Sequence, residues 1–252
     1  MTETKTNVQS ILYLNGVTKT FDGFKAINNL SLDIAPGELR AIIGPNGAGK
    51  STMMDIITGK TKPDEGEVRF KDNIDLTRHD EADIANMGIG RKFQKPTVID
   101  SLTIWENLDL SIAGNRGVWQ TLWFKNTKEQ CERIDSIMQL IGLSGKREAL
   151  AKNLSHGQKQ WLEIGMLLIQ EPEVLLVDEP AGGMTDVETM ETAKLLKEIS
   201  KNHSVIVVEH DMDFVRALDC RVTVLHEGSV LAEGSLDKVS ADPRVVEVYL
   251  GR

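Results

Sequence analysis

Several things are scarce in this sequence, and each shortage narrows what the chain can be. Only two cysteines, Cys131 and Cys220, occur in 252 residues. They lie far apart and in no metal-ligand spacing. A disulfide framework is therefore not expected, and a reducing compartment is. No stretch approaches the ~20 consecutive apolar residues of a membrane span. The start, Met1 to Ser10, is polar and lacks the apolar centre of a signal peptide. If the chain works at a membrane, another chain must hold it there. Basic charge is in deficit, with 29 Lys and Arg against 38 Asp and Glu, a net charge of -9. That argues against non-specific nucleic-acid binding, which needs a basic footprint. Internal repeats and low-complexity segments are missing as well.

What is present suits a folded core. Forty per cent of residues are hydrophobic, which argues against wholesale disorder. The length fits one domain with a lobe attached, or two small domains. Apolar runs and punctuation predict strands at Ile11–Asn15, Leu30–Ile34, Leu39–Ile43 and Val68–Phe70, and a helix over Lys50–Gly59 closed by glycine. Residues 91–153 hold three of the four tryptophans and helical patterns at Thr103–Ala113 and Thr127–Ile141, so a helical lobe is expected there. Beyond it, helices (Gln158–Gln170, Val187–Lys201, Asp211–Leu218) alternate with apolar strands (Val174–Val177, Ser204–Val208). Arg221–Leu225 and Ser229–Ala232 read as a closing hairpin around Glu227-Gly228. The tail from Asp237 reads as one or two short amphipathic helices. Unbroken apolar strands between helices predict a parallel sheet covered on both faces, hence an α/β fold.

Gly44-Pro45-Asn46-Gly47-Ala48-Gly49-Lys50-Ser51 fits the phosphate-loop pattern G-x-x-x-x-G-K-[ST], with Thr52 next. Glycines let the backbone curl so that several N–H groups face phosphate oxygens. The helix that follows turns its positive end to the same anion. Lys50 adds a full charge at the β- and γ-phosphates, and the Ser51 hydroxyl suits Mg²⁺. The match sits after an apolar strand and before a helix, as the motif requires.

Val174–Val177 ends in Asp178 and Glu179. At the carboxyl end of a parallel strand such side chains reach the ligand crevice of an open α/β sheet. Asp178 suits Mg²⁺, and Glu179 suits polarising an attacking water. A lone carboxylate there reads equally well as a solvated strand end. The pair, after a phosphate loop, does not.

Leu154-Ser155-His156-Gly157-Gln158, just before a helix and ahead of Asp178, completes a pattern. With it the sequence resembles the ATP-binding cassette ATPases over roughly residues 10–251. The five residues resemble the family signature Leu-Ser-Gly-Gly-Gln. The resemblance implies a P-loop nucleotide-hydrolase fold with a mixed sheet and a helical subdomain, as one domain over residues 1–252. Its core would take about 10–90 and 155–235, its helical part 91–154 and its tail 236–252. It further implies Phe21 as the adenine-stacking aromatic, Gln94 as a glutamine-loop residue on Mg²⁺ and His210 as the γ-phosphate switch. Ala181–Asp186 takes the place of the dimer-contact loop. Head-to-tail pairing of two such subunits would set the signature of one against the ATP of the other.

From the residues alone, Ser155 reads equally as an ordinary helix cap and Phe21 as a core aromatic, and His210 reads more often as a surface or structural histidine. His79, His203 and His226 form no ligand spacing. Two positions depart from the family pattern. His156 replaces the first signature glycine, and the dimer loop reads Ala-Gly-Gly-Met-Thr-Asp.

Within the family, the chain resembles the importer branch serving branched-chain amino acids, amides and urea. Residues 154–165 and 178–186 put urea first, with branched-chain amino acids as the alternative. The resemblance implies a second ATPase subunit, separate membrane permeases, a periplasmic solute-binding protein and a place on the cytoplasmic face of the inner membrane. Lipopolysaccharide export shares the size and tail. A soluble clamp in DNA repair or translation fits the charge poorly, and a P-loop kinase would not need residues 154–158. Exposed aromatics at Trp119, Trp123 and Phe124 would either meet a permease or pack the lobe internally.

Overall fold

The structure is a computed structural model and describes residues 10–92, 97–112 and 127–250. Two sheets organise the chain. The first is antiparallel: β1 (Leu12–Phe21) lies between β2 (Phe24–Ile34) and β4 (Glu65–Phe70), with the short β5 (Ile74–Asp75) outside β4. The second has six strands in the order β10-β9-β3-β8-β7-β6. These are β3 (Leu39–Ile43), β6 (Ile89–Lys92), β7 (Val174–Asp178), β8 (Ser204–Val208), β9 (Arg221–His226) and β10 (Ser229–Gly234). β9, β3, β8, β7 and β6 run parallel, and β10 returns antiparallel on β9.

Alternation along the central strands sorts the core. Successive side chains point to opposite faces. Leu175, Val177, Val205, Val207, Ala41 and Ile43 join one apolar cluster, shared with α3 (Ile104–Ser111), α4 (Lys128–Leu140), α5 (His156–Leu168), α6 (Asp186–Ile199) and α7 (Met212–Leu218). Val174, Leu176, Ile206, Val208 and Ile42 face the other way, into a cluster with α1 (Lys50–Ile57) and the antiparallel sheet. Both faces are covered, so β7 and β8 are apolar at every central position and buried throughout. Among the described residues no helix is long and apolar enough to cross a membrane.

Local chemistry sets most boundaries. Thr103, Thr127, Ser155 and Thr185 each form a capping box with the Glu or Gln three residues on, and so begin α3, α4, α5 and α6. The tail folds as α8 (Leu236–Ser240) and α9 (Pro243–Leu250). The β9–β10 turn uses Glu227 and Gly228 at positive φ. Gly228 then donates to Ala48 O (3.0 Å) and accepts from Asn28 N (2.9 Å), tying the hairpin to β2 and the phosphate loop.

The structure adds to the sequence reading. β1 and β2 are longer than predicted, because their continuations pair with each other. A short helix, α2 (Glu81–Asn86), and the edge strand β6 were not foreseen. β6 carries Arg91 and Lys92, expected at the start of the helical lobe, into the central sheet beside β7.

Candidate functional site

β3 ends at Ile43 and α1 begins at Lys50, so the phosphate loop fills the gap at the carboxyl edge of the central sheet. Gly49 adopts φ +100°, and a Cβ there would lie 2.6 Å from Ala26 O. Gly44 packs on the Leu225 carbonyl, leaving no room for a side chain. The N-cap of α1 is Gly49 and makes no side-chain cap hydrogen bond. This contrasts with the capping boxes of α3 to α6. The first amides of α1 are thus left for an anion, which a helix N-terminus favours.

A cleft of about 220 Å³ opens at this point. Asn46, Gly47, Gly49, Lys50, Ser51 and Thr52 line it from the loop, Asp178 and Glu179 from the end of β7, and Phe24 and Ala26 from β2. Lys50 Nζ donates to Gly44 O (2.7 Å) and Pro45 O (3.0 Å). Burial pushes the Lys50 ammonium down from its ordinary pKa, and the charges of Glu179 and Asp178 push back. Asp178 is buried, and burial raises its carboxyl above the usual range. Arg91 opposes that rise through Nη2, 3.4 Å from Asp178 Oδ2, while Glu179 reinforces it. Arg91 also donates to Asp55 Oδ1 on α1 at 2.5 Å. Ser51, Asp178 and the uncapped end of α1 therefore supply the hydroxyl, carboxylate and anion cradle that a Mg²⁺-nucleotide requires.

Glu179 is at the strand exit with φ +47°, its amide donating to Val208 O (2.9 Å). A non-glycine residue held in this region is uncommon and often functional. His210 follows β8, its Nδ1 3.6 Å from Glu179 Oε1. Both side chains reach solvent. The structure thus brings His210 to Glu179. Phe21 sits at the tip of the β1–β2 hairpin, paired with Phe24 and under Lys19 Nζ, but it is not among the cleft-lining residues. Phe24, 65% exposed, is. Gln94 and the aromatic group Trp119, Trp123 and Phe124 lie outside the described residues.

Residues 154–158 do not line the cleft. Leu154 is core. Ser155 caps α5, and its Oγ also donates to Glu188 Oε1 (2.8 Å). His156 Nε2 lies 3.0 Å from Gly182 O, a hydrogen bond for the Nε2-protonated tautomer. A Cβ on Gly157 would come 2.7 Å from Glu188 Cδ, so a side chain there would have to displace the Glu188 carboxylate that Ser155 holds. Gln158 Oε1 accepts from Lys146 Nζ (2.9 Å). The signature segment and the Ala181–Asp186 loop are thus laced together within one chain.

Sequence reasoning missed three groups near the site. Phe24 could not be told from Phe21 before the hairpin pairing was known. Lys92 and Glu163, both buried, face each other at 3.5 Å between β6 and α5. Glu209 is fully buried beside His210. Its signal was there: it directly follows an apolar strand, as Glu179 does.

Comparison with known proteins places this geometry. The ABC transporter family model matches residues 27–182, and that of the branched-chain amino acid ATP-binding cassette transporter matches residues 229–252. The high-affinity branched-chain amino acid transport ATP-binding protein LivG of Escherichia coli K12 is 34% identical, over 96% of this chain and 98% of its own. The probable LivG of Methanocaldococcus jannaschii is 32% identical, over 97% and 99%. The crystal structure of an ATP-binding cassette of an ABC transporter in its ADP conformation superposes with a TM-score of 0.84 at 33% identity, covering 96% and 99% of the two chains. A dimeric cassette in a post-hydrolysis state, bound to ADP and Pi, gives 0.74 at 31% identity, covering 89% and 98%.

Proposed function

This chain belongs to the ABC transporter family as an ATP-binding subunit whose ATP hydrolysis is coupled to transport, and from that premise we propose that it powers import of branched-chain amino acids. The single observation that carries the site reading is the cleft that gathers Lys50, Ser51, Asp178 and Glu179 around the uncapped end of α1. In this reading the loop amides and Lys50 hold the β- and γ-phosphates. Ser51 and Asp178, with Gln94, would hold Mg²⁺, which when bound neutralises charge on those phosphates. Glu179 orients a water and takes its proton as the water oxygen bonds to the γ-phosphorus. The bond to the β–γ bridging oxygen breaks, and ADP leaves with that oxygen. His210, beside Glu179, steadies the γ-phosphate. Two cassettes close on ATP, the signature of each facing the phosphates of the other, and hydrolysis releases them. The subunit sits on the cytoplasmic face of the inner membrane through separate permeases served by a periplasmic binding protein.

The sequence phrases ranked urea first as solute. The LivG relatives and the C-terminal family match favour branched-chain amino acids instead. Both readings are tested in the reconstituted transporter. Leucine-loaded binding protein should stimulate ATP turnover; stimulation by urea-loaded protein alone would restore the first ranking. Glu179→Gln should bind ATP with affinity unchanged within about twofold, yet lose about 100-fold or more in turnover. Near-wild-type turnover in that variant removes the base assignment.

A further inference from the structure

The Glu209 carboxylate takes no part in the hydrolysis step proposed above. Glu209 directly follows β8 and is 1% exposed. A carboxylate so placed must be compensated inside the protein. Here backbone amides do it. Oε1 accepts from Ala181 N (2.9 Å), and Oε2 accepts from His210 N (2.8 Å) and Asp211 N (3.2 Å). His210 Nδ1 is also 3.6 Å from Oε2.

These amides belong to two different loops. Ala181 begins the segment that leaves β7 just after Glu179 and Pro180. His210 and Asp211 begin the segment that leaves β8. The strands themselves are fixed, since Glu179 N donates to Val208 O (2.9 Å) and Glu209 N to Ile42 O (3.1 Å). Beyond them, one carboxylate spans both exits, each oxygen serving one loop. The first loop is gripped a second time, at Gly182, by His156 of the signature segment.

We propose that Glu209 is a positioning residue for ATP hydrolysis: by clamping the loop after Glu179 to the loop bearing His210, it sets the 3.6 Å approach of His210 to Glu179. This rests on the roles proposed above for those two residues. Glutamine is isosteric, but its amide nitrogen would meet an N–H, so only one of the two loops keeps its acceptor. Aspartate keeps the charge but is one methylene too short to span both.

Single-turnover hydrolysis with excess enzyme reads slow variants, and a fluorescent ATP analogue reads affinity. Glu209→Gln and Glu209→Asp should each slow hydrolysis about 10- to 100-fold, with ATP affinity unchanged within about twofold. If Glu209→Gln fails to fold, Glu209→Asp carries the test. In a His210→Ala background, itself slow, Glu209→Gln should add less than about threefold, because both act through one contact. A wild-type rate in a folded Glu209→Gln or Glu209→Asp variant overturns the inference, as does a loss confined to ATP affinity. A full, additive effect of Glu209→Gln in slow His210→Ala overturns this inference alone. Wild-type turnover in His210→Ala overturns the site reading and this inference with it.

Discussion

Cys220 shows how burial can outweigh neighbouring groups in setting a residue's chemistry. It is a free thiol between α7 and β9. Burial pushes its pKa from 9.0 up to about 11. The buried thiol thus holds ~100-fold less thiolate near neutral pH than an ordinary cysteine. Iodoacetamide at pH 8.5 should therefore label Cys220 far more slowly in the native protein than in urea. Equal rates in the two states would contradict the assigned burial. The linkage has a definite sign. The native state keeps this proton longer than the unfolded chain, so it binds more protons between about pH 9 and 11. Its contribution to stability is complete below pH 9 and is lost as pH rises through 11. Tyr249, raised to about 12 by burial, extends the same trend upward. Urea titrations at pH 8 and pH 10.5 should show the loss.

At the scale of elements, the edge strand β6 is held by a buried ion pair as well as by its ladder to β7. Lys92 at its end faces Glu163 on α5, both nearly sealed from water. Burial depresses the Lys92 ammonium, and Glu163 resists that most. Glu163 also accepts from Thr97 N at 2.7 Å. One carboxylate thus holds both flanks of the segment containing Gln94 to the signature helix. Lys92→Met should cost about 3–5 kcal/mol, because it strands Glu163, whereas Lys92→Met with Glu163→Gln should recover part of the loss. Urea denaturation of the three proteins decides; a single variant as stable as wild type would mean the pair is not compensated as described. The same strand shows where sequence reading stops. Ile89-Gly-Arg-Lys holds one apolar residue, so no periodicity marks it, and its state comes from pairing with Val174–Val177. β7, β8 and the capped helices were legible because each residue's own preference agrees with its place. The phosphate loop and the Asp178-Glu179 pair were legible for a related reason: their spacing is dictated by the ligand. Glu209 and Phe24 take their places through contacts between segments far apart in the chain, which no local pattern records.

At the scale of the whole molecule, the uncapped end of α1 and the capped start of α5 lie apart within one chain. The phosphate cleft is lined from the loop, β2 and β7, with no residue of 154–158 among its lining. Ser155 caps α5 elsewhere, turned to Glu188. In the head-to-tail pair proposed above, a second cassette brings its signature to the phosphates. Two inactive variants can decide this. Lys50→Ala removes phosphate binding but leaves the signature whole. Ser155→Arg blocks the signature but leaves the loop whole. Each alone should turn over little ATP. Mixed and allowed to pair, they form hybrid dimers in which one of two composite sites is intact. For equal mixing and independent sites, about a quarter of wild-type activity should return. If the signature served the loop of its own chain, every site in the mixture would carry a defect, and activity would stay at the level of the separate variants at any mixing ratio.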